Sequence, residues 1–191
     1  MMQVVGLSSN VVQGLNEKKQ KGQIVFKGED NQCLIGENVE LIDVKIYFMS
    51  SGGTVEIADN CIVRGDIFVG KSSRVSIGKN SKFNKPCVFR ASHRTSISLG
   101  EDCLFANAKF DTKESVFIFD RDTKERINPE SNIVINNHVW IAENVLVRAG
   151  LTIGENTVIG ACSVVLNDIP ANSIAVGFPA RVVKSNVEWR E

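Results

Sequence analysis

The chain has 191 residues, 43% of them hydrophobic, and 22 lysines plus arginines against 22 aspartates plus glutamates. That length suits one globular domain, and the balanced charge creates no global field to recruit nucleic acid or an anionic membrane. The chain contains no run of about 18 apolar residues to span a membrane, and its start lacks a basic segment leading into an apolar core and cleavage site, so it reads as cytoplasmic. Five cysteines, odd in number and without metal-type spacing, read as reduced thiols that fill small spaces in the interior.

Residues 1–31 are polar and are expected to lie outside the regular structure. A repeat then begins: "IGEN" at Ile35, "IADN" at Ile57, "IGKN" at Ile77, "LGED" at Leu99, "INNH" at Ile135 and "IGEN" at Ile153. Successive units are one coil of about 18 residues with small additions. From Ile135 the chain divides into sixes, "INNHVW", "IAENVL", "VRAGLT", "IGENTV", "IGACSV" and "VLNDIP", each led by an aliphatic residue. Six residues per side and three sides per turn describe a triangular prism of short parallel strands, with the aliphatic residues inward. Asn38, Asn60, Asn80, Asn144 and Asn156, and glycines such as Gly78 and Gly100, fall where the corners are expected to need left-handed backbone with positive φ. The expected architecture is therefore all-β, a parallel β-helix over 32–176 with a short tail at 177–191. One departure interrupts it. The interval from Leu99 to Ile135 is twice a coil, and the charged stretch "FDTKESVFIFDRDTKERIN" at 110–128 occupies most of it, so a loop is expected across 110–131.

The segment "HVWIAENVLVRAGLTIGENTVIGACSVVLNDIPANSIAVGFPARVV" resembles the sugar O-acetyltransferase and serine acetyltransferase branch of the hexapeptide-repeat acyltransferases, in its "VWI" opening, its "DIP" exit and its "GFPARVV" tail. The resemblance implies that the helix is left-handed, which the six-residue spacing does not itself reveal, since most parallel crossovers are right-handed. It also implies acetyl-coenzyme A (acetyl-CoA) as acyl donor, a homotrimer, and an acceptor site shared between two subunits. Carried over position by position, Ala142, Gly160 and Ala161 fall on the corner along which the pantetheine arm would run. Arg181 and Lys184 match the tail cations that would meet the coenzyme's phosphates. Trp140 and Phe178 match aromatics near the acyl group and the coenzyme. Ala142 departs from the family's usual glycine. Corner geometry, core packing and a solvated tail are the plainer readings of these same residues.

Transfer of an acyl group to a hydroxyl needs a base for the acceptor's proton, and the chain has two histidines, His93 and His138. Two are too few for the three-histidine metal site of the carbonic anhydrase branch of this fold, so no metal is expected. In the sugar O-acetyltransferases the loop carries a catalytic histidine before "IFD" and "RIN"; this chain keeps "IFD" at 118–120 and "RIN" at 126–128 but has Val116 where that histidine is expected. Glu114 stands where the family has its acidic partner, and it or Asp111 could serve as base. His93, in "HRTSISLGED", is similar to the histidine that serine acetyltransferases place six residues before an aliphatic-Gly-Glu corner. His138 falls on a corner where a turn residue is the plainer reading. The resemblance thus implies an acetyl-CoA-dependent O-acetyltransferase acting on a hydroxyl of a sugar or polysaccharide precursor. The alternative is a catalytically silent scaffold or partner-binding protein of the same frame.

Overall fold

The computed structural model describes residues 1–6, 8–16, 18–113 and 116–191. Among them every regular element is a strand. The strands stack coil on coil into a three-sided prism. The third face is a seven-stranded parallel sheet running from Val11–Gln13 through Gln32–Ile35, Thr54–Ile57, Arg74–Ile77, Ser96–Leu99 and Ile133–Ile135 to Leu151–Ile153. The first face holds Lys82–Phe83, Leu104–Phe105, Trp140–Ile141, Val158–Ile159 and Ser173–Gly177, and the second holds Cys87–Ala91, Lys109–Asp111, Leu146–Val147 and Val164–Val165. The long strands Glu40–Phe48 and Ile62–Val69 run round the corner between these two faces and join them into one sheet. Gly65 makes that bend at φ 113°, where a Cβ would stand 1.9 Å from Cys87 O.

Alternation of strand side chains sends the leading aliphatic of each unit inward: Ile57, Ile77, Ile135 and Ile153 are buried at 0–1% exposure. Phenylalanines thicken the interior, with Phe89 stacked on Phe110 at 4.8 Å and Phe83 against Phe105 at 4.9 Å. Each such side chain contributes about 1.5–3 kcal/mol by leaving water. The corner asparagines sit at φ 53–60° and bond upward from coil to coil, Asn60 Nδ2 to Asn80 Oδ1 at 3.2 Å and Asn80 Nδ2 to Asp102 Oδ1 at 2.9 Å. The corner glycines have a different cause. Gly78 and Gly100 are not left-handed; they are small because a Cβ on either would lie 2.4–2.5 Å from the backbone of the next coil.

Two further expectations need correction. Residues 1–31 are not outside the coils: Met2–Val5 pairs in parallel with Gln20–Phe26, and Val11–Gln13 with Gln32–Ile35. The period is hidden there because buried Gln20 stands where the next coil has Leu41, and because buried Asn10 begins a polar corner column that continues to Asn31. Leu99 and Ile135 are register partners on adjacent turns, so the excess length between them is an excursion from the prism. Cys33, Cys61, Cys87 and Cys103 are buried, but Cys162 is exposed, at a left-handed corner position with φ 59°. The tail does not continue the coils. Ala180–Ser185 folds back antiparallel on Ser173–Gly177, and the last residues run back along the corner between the third and first faces. Asn156 Nδ2 donates to Val187 O at 2.8 Å, and Lys82 pairs with Glu191 at 2.7 Å.

Candidate functional site

His93 lies on the corner between the second and third faces, in the turn that links Cys87–Ala91 to Ser96–Leu99, and it is exposed. Buried hydroxyls fasten that turn. Thr112 Oγ1, one coil further on, accepts the Ser92 N–H at 2.9 Å and lies 2.6 Å from Thr95 Oγ1, and Thr95 Oγ1 donates to Ser92 O at 2.6 Å. The chain leaves the prism immediately after Thr112 and returns where Ser131 N donates to Thr112 O at 3.3 Å. One residue therefore anchors both the turn of His93 and the root of the loop. Gly70 forms the floor below; a Cβ there would stand 3.1 Å from His93 N.

The loop is a hairpin. Phe119 bridges Arg126, Ile127 N donates to Ile118 O at 2.9 Å, and Asn128 clamps the base by accepting the Ile118 N–H at 2.7 Å and donating to Val116 O at 2.7 Å. Asp120 caps the tip through the N–H groups of Thr123 and Asp122, which hold its carboxyl below the usual range. Arg126 covers the Phe117 ring at 4.1 Å and pairs with Glu130 at 2.7 Å, its hydrogen bond lowering the Glu130 pKa. Val116 is 69% exposed, and Phe117, Ile118, Phe119 and Ile127 are also exposed. Glu114 lies outside the described residues. Asp111 is half-buried at the loop's root, with Arg90 Nη1 at 3.9 Å from its Oδ2.

His138 is placed on a different edge of the prism, between the third and first faces, at φ 54°. Its ring stacks on Trp189 at 4.1 Å, its Nε2 donates to Trp189 O at 3.0 Å, and Trp189 Nε1 donates to His138 O at 2.9 Å. Sequence reasoning had no sign of this clasp, because it joins residues 51 apart across the returning tail.

Ala142, Gly160 and Ala161 share the third edge, between the first and second faces. The N–H groups of Ala142 and Gly160 already donate to Ile159 O and Ala175 O in the inter-coil ladder, so this corner offers a ligand a low profile rather than those two donors. Gly160 also has a packing reason, since a Cβ there would meet Val176 Cγ1 at 2.5 Å. Trp140 is partly exposed on the first face, in register with Val158 and then Ile174, and Phe178 is 78% exposed at the hairpin turn. Arg181 and Lys184 are three apart, which in a regular strand would put them on opposite faces. A bulge opposite Ile174 and Ala175 pairs Arg181 with Val176 and Lys184 with Ile174, so both cations fall on the outer side with Ile174 and Val176. Both are exposed.

A groove of about 510 Å³ runs beside the corner of His93, lined by Met49, Phe68, Gly70, Arg90, Ser92 and Asp111 among others. Among the described residues no three His, Cys, Asp or Glu side chains gather as a metal-binding set, and no helix is long and apolar enough to cross a membrane.

Comparison with known proteins places this geometry. Residues 132–167 match the family description "Bacterial transferase hexapeptide (six repeats)". The galactoside O-acetyltransferase of Escherichia coli strain K12 is 30% identical over 184 residues, 93% of this chain and 84% of that protein. The polysialic acid O-acetyltransferase of Escherichia coli O1:K1 is 31% identical over 136 residues, 71% of this chain but 44% of that protein's length. Among solved structures, the polysialic acid-specific acetyltransferase NeuO superposes with a TM-score of 0.87 at 27% identity, covering 100% of this chain and 78% of the other. A galactoside acetyltransferase solved in complex with coenzyme A gives 0.53 at 26% identity over 69% of this chain and 64% of that one. The fold is the left-handed parallel β-helix that the resemblance implied.

Proposed function

We propose that this chain, which belongs to the hexapeptide-repeat acyltransferase family, is an acetyl-CoA-dependent O-acetyltransferase that uses His93 as general base on a hydroxyl of a sugar or polysaccharide precursor. The observation that carries the choice of base is the difference between the two histidines. His93 is exposed beside a groove, on a turn locked to the root of the loop, whereas His138 is stacked and hydrogen-bonded under Trp189. The first is free to meet a substrate; the second holds the tail.

The donor supplies a thioester whose carbonyl carbon is open to attack. His93 takes the proton of the acceptor hydroxyl as its oxygen bonds to that carbon, and returns the proton to the departing sulfur when the C–S bond breaks. A positioned base contributes about 10² to 10⁴ in rate. Val116 has no group that accepts a proton, so the loop's part is to wall the acceptor site.

The coenzyme reading rests on the small corner at Ala142, Gly160 and Ala161, on Arg181 and Lys184 aligned on one side of the terminal ribbon, and on the neighbour that binds coenzyme A. On one chain the corner of His93 and that of Ala142 are separated by the width of the second face, five residues at Cys87–Ala91 or about 17 Å. A site that uses both takes one edge from each of two copies, and the exposed apolar loop residues give a second copy something to bury, in keeping with a homotrimer. The test is transfer of acetyl from acetyl-CoA to a panel of sugars and oligosaccharides. Formation of an acetyl ester is expected; coenzyme A release with no acceptor dependence, or no turnover, would favour the silent scaffold.

A further inference from the structure

On the second face, outward side chains of successive coils fall in register: Tyr47 with Phe68, Phe68 with Arg90, and Arg90 with Asp111. Tyr47 and Phe68 stack at 5.3 Å with their planes 10° apart, and the Arg90 guanidinium lies 5.7 Å from the Phe68 ring centroid. Both rings are partly open to solvent, and Phe68, Arg90 and Asp111 line the 510 Å³ groove. Three coil steps of about 4.8 Å make this column about 14 Å long. It leads directly away from the turn of His93, which follows Arg90 in the chain and shares its coil. Gly70 keeps the floor between column and turn bare.

We propose that this column is an extension subsite for a saccharide chain, the rings of Tyr47 and Phe68 carrying linked pyranose units beyond the one acetylated near His93. It rests on the acceptor being a sugar hydroxyl. An aromatic face is electron-rich and attracts the weakly positive C–H edges of a pyranose ring, while its apolar area removes those edges from water. Sugars present both C–H faces and a rim of hydroxyls, and the column supplies both complements: aromatic faces at its far end, then Arg90 as a fan of donors and Asp111 as acceptor near the loop. The Arg90 guanidinium lies within cation–π reach of Phe68, 5.7 Å from its centroid, which restrains the side chain beside the rings and leaves its N–H groups to bond a neighbouring hydroxyl or carboxylate. A purely apolar partner surface would leave the Arg90 and Asp111 charges facing it, at a distance of 3.9 Å where they compensate each other only loosely. That charge pattern favours a hydroxylated occupant over a second copy of the chain.

The test uses the full chain with acetyl-CoA and two series of acceptors, the monosaccharides glucose, N-acetylglucosamine and N-acetylneuraminic acid and the linear hexasaccharide of each. Phe68→Leu and Tyr47→Leu keep apolar bulk and remove the aromatic face. Each is expected to lower kcat/KM for at least one hexasaccharide by about threefold to tenfold, through KM, and to leave the matching monosaccharide within twofold. Saturation-transfer NMR of the same hexasaccharides in the presence of coenzyme A should show ring protons in contact in the wild type and lose that contact in Phe68→Leu. Such binding without any acetyl transfer would keep the subsite and overturn the enzymatic reading. Transfer with equal effects on short and long acceptors, or no effect, would overturn the subsite and leave the enzyme standing. Dissociation of either variant into smaller species in sedimentation would mark the column as a contact between copies and overturn the proposal as well.

Discussion

Replacing Thr112 with valine keeps the shape of a fully buried side chain and removes one oxygen. That oxygen accepts the Ser92 N–H at 2.9 Å and sits 2.6 Å from Thr95 Oγ1. Thr95 keeps an acceptor in Ser92 O at 2.6 Å, so only the Ser92 N–H is stranded, at about 1–3 kcal/mol. A loss of about 2 kcal/mol corresponds to about 4–8 °C in Tm for a chain of this size. The turn of His93 would then sample positions away from the acceptor, and kcat should fall about tenfold or more while the coenzyme Kd holds. Thr112→Ser loses a methyl group, about 0.8 kcal/mol, but keeps the hydroxyl and should retain nearly full kcat. Thermal unfolding, steady-state kinetics and calorimetric titration of coenzyme A on both variants decide the matter. If valine and serine reduce kcat equally, the hydroxyl does not position His93.

Gly100→Ala should destabilise by about 1–3 kcal/mol in denaturant titration, because the new Cβ would press within 2.5 Å of Asn136 backbone with no flexible side chain to yield. Burial pushes the thiols of Cys33 and Cys87 up to about 12, so thiol labelling of the native protein at pH 8 should modify Cys162 alone. The same shift has a stability sign: the folded state holds those protons more tightly than the unfolded chain, so stability is unaffected below pH 9. It should then fall by up to about 1.4 kcal/mol per thiol per pH unit between pH 9 and 12. Mixed oligomers of His93→Ala and Arg181→Ala/Lys184→Ala should recover part of the activity that each parent lacks, as a site shared between copies requires; no recovery on mixing would place both edges of a site on one chain.

Much of the prism was legible because its cause is local and periodic. An aliphatic residue every six positions fixes which side chains turn inward, and asparagine at a left-handed corner repeats the same conformational need, as at Asn60 and Asn80. The first coils were not legible, because Gln20 is buried where later coils have an aliphatic, its amide satisfied by the Asn16 N–H and the Val39 carbonyl, and Asn10 is buried through its bond to Asn31. The clasp of His138 by Trp189 and the bulge that aligns Arg181 with Lys184 depend on the path of the returning tail, which no spacing encodes. His93 was visible as a candidate, yet its link to Thr112 was not, since it passes between coils 20 residues apart. The aromatic column was hidden for the same reason: Tyr47, Phe68 and Arg90 become neighbours only once the coil length at each step is known.

His93→Ala tests the central claim most directly, measured as kcat for acetyl transfer to the best saccharide acceptor alongside the calorimetric Kd of coenzyme A. The account predicts a fall in kcat of about 10² to 10⁴ with Kd unchanged, while His138→Ala, measured at a temperature where it remains folded, loses far less. Undiminished kcat in His93→Ala would contradict it.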